Sequence, residues 1–106
     1  MTSRITIRDL ARADLFSIFE YTARQWDLAQ AERYLHQIDK KLRALSTHHE
    51  LGRDRPDIGK GVRILLAGRH LVVYRPRTGG IDVLRVVHRS RDLRTAIAAL
   101  LPPARK

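Results

Sequence analysis

Three short apolar runs, separated by two glycine-containing turns, follow one another between residues 61 and 93. Runs of this length bounded by such turns are typical of β-strands, and short connections between consecutive strands indicate antiparallel pairing. The segment therefore predicts an antiparallel meander, whose apolar face must be covered by another layer. The predicted strands are Val62–Leu66, His70–Arg75 and Ile81–His88, with turns at Ala67-Gly68 and Pro76–Gly80.

The first half of the chain supplies that layer as two amphipathic helices. Residues 4–8 alternate between polar and apolar types, as a half-buried strand does, and Asp9 is placed to cap a helix after it. Near Trp26 this helix breaks, and Asp27 with Gln30 has the form of a capping box that starts a second helix. One face of the first helix carries Leu15, Ile18, Phe19, Thr22 and Trp26; the seam of the second carries Leu28, Ala31, Leu35, Ile38, Leu42 and Leu45.

Together these elements predict an α+β fold of order β-α-α-β-β-β-α, a helical hairpin packed on a small antiparallel sheet. A polar loop, residues 46–60, separates the hairpin from the strands, and Asp92 is placed to cap a last helix, Leu93–Leu101. The 106 residues suit one domain, residues 1–106. The predicted core consists of Leu15, Ile18, Trp26, Leu35, Ile38, Leu42, Val83 and Val86.

The third predicted strand is apolar on both of its faces, which indicates a central strand covered on both sides. Strict alternation places Ile81, Val83 and Val87 on one face, and Leu84 and Val86 on the other. The hairpin is expected to cover one face. The C-terminal helix or a partner chain would cover the other.

Positive charge is concentrated in the half of the chain that holds the strands. The whole chain has a net charge of +10, and residues 53–106, with 13 basic and 4 acidic side chains, contribute +9 of it. Most of these cations are arginines, which favour forked contacts with carboxylates or phosphates. The asymmetry predicts an acidic partner, either a nucleic acid or an acidic protein segment. The candidate partner-binding residues are Arg63, Arg75, Arg85, His88, Arg89 and Arg91.

Residue types argue against several kinds of chemistry. The chain has no cysteine, and its N-terminus lacks the apolar stretch of a signal peptide, so a cytoplasmic location is expected. No apolar run is long enough to span a membrane. The adjacent His48 and His49 have no set of ligands at metal-binding spacing, and no phosphate-binding loop occurs. Neither a metal nor a cofactor is expected.

Metal-independent RNA cleavage is the one enzymatic alternative that the residues leave open. It needs a base, an acid and cations around the phosphate, which His88 with Arg63, Arg75 and Arg85 would supply if the strands brought them together. Strand arginines more often pair with acids or bind a partner, so no catalytic residue is assigned. Nucleic-acid binding that reads sequence is not expected, because Tyr74 is the only strand aromatic and no recognition helix stands out.

The order and spacing of many residues resemble the ParE toxins of the RelE/ParE superfamily. The resemblance extends from about residue 9 to residue 93, with Asp27 where a glycine often follows the hairpin tip. It is carried by Asp14-Leu15, Ile18, Tyr21, Gln25-Trp26, Ala31, Tyr34, Leu51-Gly52-Arg53, Arg55, Asp57, Gly61-Val62-Arg63, Gly68-Arg69-His70, Tyr74-Arg75, Arg85–His88 and Arg91-Asp92.

The resemblance implies a fold, a partner and a target. The fold is a helical hairpin on a small sheet, and the partner is a ParD-like antitoxin whose acidic C-terminal segment wraps the toxin in a hetero-oligomer. ParE-type toxins poison DNA gyrase, whereas RelE-type relatives cleave mRNA on the ribosome. Gyrase inhibition by binding is therefore the expected activity. The alternatives are a ribosome-dependent endoribonuclease and a non-toxic regulator that only binds antitoxin.

Overall fold

The structure is a computed structural model that describes residues 4–98. The α+β class and the predicted order of elements are confirmed, with one additional two-residue strand in the loop after the hairpin. The elements are β1 (Arg4–Ile7), α1 (Asp9–Gln25), α2 (Leu28–Leu45), a short 3₁₀ turn (His49–Leu51), β2 (Arg53–Asp54), β3 (Arg63–Ala67), β4 (His70–Arg77), β5 (Gly80–His88) and α3 (Leu93–Ile97). The predicted continuation of α3 to Leu101 lies outside the described residues. None of the described helices combines the length and the apolar character needed to cross a membrane.

The five strands form one mixed sheet in the order β1-β5-β4-β3-β2. The antiparallel meander of β3, β4 and β5 is confirmed, but β1 pairs with β5 in parallel, from Arg4 opposite Gly80 to Ile7 opposite Val83. The sheet as a whole is therefore mixed, whereas the sequence predicted an antiparallel sheet. Alternation of residue types identifies β1 as a strand but does not specify its neighbour. Gly80 permits the pairing, since a Cβ there would lie 2.2 Å from the Arg4 carbonyl oxygen.

A β-bulge in β5 changes which side chains share a face. Tyr74 lies opposite Val83 and Val73 lies opposite Arg85, so Leu84 is the extra residue on its strand. Past the bulge the alternation is reversed, and the predicted faces are wrong from there on. Val86, not Val87, packs with Ile81 and Val83 under the hairpin, and Val87 packs with Leu84 on the opposite side.

The sheet is covered on both faces, as predicted. The core under the hairpin includes Ile18, Ile38, Leu42, Val83 and Val86, with Leu15 and Leu35 half-buried against it. The smaller core on the other face is closed by α3, whose Leu93 and Ala96 pack on Val62, Val73, Leu84 and Val87. No partner chain is needed to cover these strand residues.

Trp26, placed in the core by the sequence, is instead 74% exposed. The helix α1 ends at Gln25, and Trp26 takes the non-helical angles φ −123° and ψ −89° in the connection to α2. It therefore no longer follows the helical spacing that put it in line with Ile18.

The capping residue predicted from the sequence is right for α2 and wrong for α1. Asp27 caps α2, accepting a 2.7 Å hydrogen bond from the backbone N–H of Gln30, which confirms the predicted cap. The Gln30 side chain accepts from Arg33 instead of reaching back to residue 27. At α1 the capping position is Arg8, and Asp9 is the first helical residue, where its charge is favourable near the helix N-terminus.

Candidate functional site

Arg85, a predicted partner-binding residue, is bound within the fold. Its Nε and Nη2 atoms donate to the two carboxylate oxygens of Asp14 at 2.7 and 2.9 Å, and its Nη1 donates to the carbonyl of Ala96. The Arg85 and Asp14 side chains are only 13% and 15% exposed. Hydrogen bonding to Asp14 raises the pKa of Arg85 above its usual value. The guanidinium joins α1 on one face of the sheet to α3 on the other.

Asp14 also completes the open edge of β5. The pairing with β1 ends at Val83, so no strand of the described residues lies beside the rest of β5 on that side. The backbone N–H of Val86 donates to the Asp14 carboxylate at 2.9 Å in place of a strand carbonyl. Asp14 therefore satisfies a backbone group and a guanidinium at one point.

Arg63 is likewise occupied, at the loop that precedes β2. Its Nε donates to the carbonyl of Gly52 at 3.0 Å, and its Nη2 donates to that of Glu50 at 3.2 Å. The buried Tyr74 hydroxyl acts on the same loop: it donates to the His49 carbonyl at 2.6 Å and accepts from the Gly52 N–H at 2.8 Å. These two side chains fasten residues 49–52 to the sheet.

Arg75 is half-buried on β4, and its environment is different again. A Cβ on Gly61 would lie 3.5 Å from its Cγ, so the aliphatic part of the side chain packs against that turn. Its Nε atom is buried without a hydrogen-bond partner among the described residues. Arg75 is therefore not a fully exposed cation, and it forms no ion pair with another described residue.

Three predicted partner-binding residues, His88, Arg89 and Arg91, are exposed at the end of β5. The backbone N–H of Arg89 donates to the carbonyl of Arg69 at 2.9 Å, which joins this end to the turn between β3 and β4. We call the exposed residues Arg69, His88, Arg89 and Arg91 the basic corner. The His88 Nδ1 atom accepts a 3.1 Å hydrogen bond from the Ser90 N–H.

A tyrosine and a second histidine lie beneath the basic corner. The Tyr34 hydroxyl lies 2.6 Å from His70 Nδ1 and accepts from the Arg69 N–H at 2.9 Å. The ring of His70 makes an edge contact with that of His88, with centroids 5.4 Å apart. Burial lowers the pKa of His70, and the neighbouring His88 lowers it further. Gly68 is required here, because it has a φ of +62° and a Cβ would lie 2.7 Å from the Tyr34 ring.

The residues proposed for RNA cleavage are not brought together. Arg63 is bound to the loop before β2, whereas Arg85 is bound to α1 and α3. The His88 ring instead contacts the ring of His70, which in turn contacts Tyr34, and sequence reasoning connected neither residue with His88. The signal for His70 was its position directly opposite His88 on paired strands; for Tyr34, 36 residues before His70, there was none.

Exposed apolar side chains lie mainly on α1, α2 and their connection. Phe16 and Tyr21 are each 64% exposed, and Trp26 and Leu28 at the hairpin tip are also exposed. We call these four residues the hairpin apolar residues. By contrast, Leu93 and Ala96 of α3 are buried in the chain's own core. Within residues 4–98, no group of three or more potential metal ligands occurs.

Comparison with known proteins places the chain in a defined family. Residues 5–93 match the profile of the ParE toxin of type II toxin–antitoxin systems, parDE. Toxin ParE1 of Mycobacterium tuberculosis is 35% identical over 94 residues, which cover 88% of this chain and 96% of the relative. Toxin ParE of Escherichia coli is 30% identical over 89 residues, covering 83% and 86%.

A solved structure supports the fold. The chromosomal ParDE toxin–antitoxin system of P. aeruginosa contains a chain that matches with a TM-score of 0.72 at 21% identity, covering 82% of this chain and 96% of that one. Toxin ParE1 of Caulobacter vibrioides, 29% identical over 84 residues that cover 79% of this chain and 86% of the relative, is a further similar sequence. The chain therefore belongs to the ParE family, the toxins of type II toxin–antitoxin systems.

Proposed function

We propose that this ParE-family toxin inhibits DNA gyrase by binding it, without catalysis. The observation that supports a binding mode is the internal use of Arg85 and Arg63, whose guanidiniums are bound to Asp14 and to loop carbonyls. Cations held in this way are not placed to stabilise the charge that develops on a cleaved phosphate. The exposed residues that could bind a partner include the basic corner and the hairpin apolar residues.

A ParD-like antitoxin with an acidic C-terminal segment is the proposed neutralising partner. Residues 53–106 carry a net charge of +9, which favours association with an acidic chain and makes it sensitive to salt. The hairpin apolar residues offer contacts that charge alone does not, since aromatic side chains supply much of the binding energy at protein interfaces. The complex would be a hetero-oligomer in the cytoplasm.

The purified toxin should abolish the supercoiling of relaxed plasmid by purified gyrase and ATP. Addition of the cognate antitoxin in equimolar amount should restore the activity, because the bound antitoxin would cover the surface that contacts gyrase. The readout is the distribution of topoisomers on an agarose gel over a toxin titration. Unchanged supercoiling at a large excess of toxin would contradict the proposal, and harmless expression without antitoxin would favour the non-toxic regulator instead.

The Tyr34, His70 and His88 side chains keep the endoribonuclease alternative open to test. The ring centroid of His70 lies 5.5 Å from that of Tyr34 and 5.4 Å from that of His88, and the Arg69 N–H donates to the Tyr34 hydroxyl. If the toxin acts by binding, translating ribosomes incubated with it should retain intact mRNA, as judged by primer extension. Rapid mRNA cleavage that is lost in His88→Ala or His70→Ala would instead assign the chain a RelE-like activity.

A further inference from the structure

An open groove of about 290 Å³ runs between α2 and the turn joining β3 to β4. It is lined by Gln37, Lys40 and Lys41 on the helix and by Gly68 on the turn. The residues that line it thus include two cations and an amide but no carboxylate.

The basic corner adjoins the groove at this turn. Arg69 directly follows Gly68, and the hydrogen bond from the Arg89 N–H to the Arg69 carbonyl brings the end of β5 to the same turn. The backbone N–H of Arg91 donates to the His88 carbonyl at 2.9 Å, which holds Arg91 beside the end of β5. Lys40, Lys41 and these three arginines are exposed, and none of the five forms an ion pair within residues 4–98.

The acidic side chains nearest in sequence already have partners. Asp39, next to Lys40, forms a 2.7 Å ion pair with Arg43. Asp92, next to Arg91, accepts from the Arg94 N–H and from the Thr95 hydroxyl at the start of α3. The positive charge of the groove and corner is therefore left for an external anion.

We propose that the groove and the basic corner bind the phosphate backbone of duplex DNA without reading its sequence. The proposal rests on the proposed function, because a toxin bound to gyrase is held beside the enzyme's DNA. Five exposed cations grouped about one turn suit a row of phosphates, with which arginine makes forked hydrogen bonds. Lysine and arginine contacts of this kind position a protein on DNA but carry no sequence information.

Two features favour duplex DNA over other acidic partners. Leu66, at the end of β3, is the one large exposed apolar residue of the described chain that lies near this turn in sequence, and none lines the groove, whereas an acidic protein segment would need apolar contacts for tight binding. A single strand would need aromatic faces for its bases, but Tyr34 and His70 pack against their neighbours, which leaves only the exposed His88 ring. A regular row of phosphates requires neither.

The test is fluorescence anisotropy of a labelled 20-base-pair DNA duplex with the full-length toxin over a range of salt concentrations. The triple variant R69Q/R89Q/R91Q should bind about tenfold more weakly at moderate salt, and its slope of log K against log salt should be shallower by about 2 to 3. The matched control R8Q/R24Q/R53Q removes three exposed arginines from other elements, with the same change in net charge. The control should retain most of the affinity and a slope within about 1 of the parent.

Several outcomes would overturn the proposal. If both triple variants lose the same affinity, binding follows diffuse net charge and the groove has no special role. If R69Q/R89Q/R91Q keeps its DNA affinity but loses antitoxin affinity, the surface belongs to the antitoxin. Tighter binding of single-stranded RNA than of duplex DNA would also reject it. Because gyrase is absent from this assay, its result is independent of whether the toxin inhibits supercoiling.

Discussion

Replacing Arg85 with alanine should lower the free energy of unfolding by about 3 to 5 kcal/mol. The substitution removes a bidentate partner from Asp14, whose carboxylate is 15% exposed and would be left with the Val86 N–H as its remaining described partner. It also removes the bond from the guanidinium to the Ala96 carbonyl that ties α3 to the sheet. Chemical denaturation followed by circular dichroism measures the change.

The ion pair between Arg43 and Asp39 is the matched control. It has the same 2.7 Å distance, but its side chains are 76% and 45% exposed. Arg43→Ala should therefore destabilise the fold far less than Arg85→Ala does, since solvent screens exposed pairs. A double-mutant cycle with Asp14→Ala and Arg85→Ala should show strong coupling, because each single variant leaves one buried charge unpaired. Equal costs for Arg85→Ala and Arg43→Ala would contradict a structural role for the buried pair.

Local signals in the sequence were sufficient for the elements of the fold. The seam through Ile38 and Leu42, the Asp27 cap and the glycines of the turns each act within a few residues, so spacing and turn chemistry identify them. What spacing does not contain is long-range pairing. The parallel neighbour of β1 and the extra residue Leu84 in β5 depend on how distant strands meet.

The candidate site was predictable only in part, for the same reason. His88, Arg89 and Arg91 were singled out as strand-end cations, and they are exposed in the structure. Arg85 has the same residue type and a similar position in the sequence, but its partner Asp14 lies 71 residues away on α1. Composition alone does not distinguish a guanidinium that fastens the fold from one that faces solvent.

The cations of the groove were missed because they come from a different element. Lys40 and Lys41 belong to α2, in the half of the chain whose net charge is close to zero. The fold places them beside Gly68, so that the groove combines helix lysines with the arginines of the turn. The net charge of each half of the chain does not indicate that lysines from one half lie beside arginines from the other.

Replacing Gly52 with alanine should destabilise the fold by about 3 kcal/mol, through space and not through backbone conformation. Gly52 has a φ of −80°, which any residue adopts, but a Cβ would lie 2.5 Å from the Ile64 carbonyl oxygen and 2.7 Å from the Tyr74 hydroxyl. The loop must move away from the sheet. That movement weakens the bonds from the Gly52 N–H to Tyr74 and from Arg63 to the Gly52 carbonyl.

Two comparison variants separate the contributions at this site. Tyr74→Phe removes only the buried hydroxyl, leaves the His49 carbonyl and the Gly52 N–H without it, and should cost about 1 to 3 kcal/mol. Gly79→Ala meets no atom within 4 Å but has a φ of +80°, so it should cost about 1 to 2 kcal/mol through conformation alone. If Gly52→Ala is no more destabilising than Gly79→Ala in urea denaturation, the close approach of the loop to Tyr74 does not contribute to stability. If Gly52→Ala is the more destabilising of the two, residues 49–52 are held on the sheet by close packing as well as by hydrogen bonds.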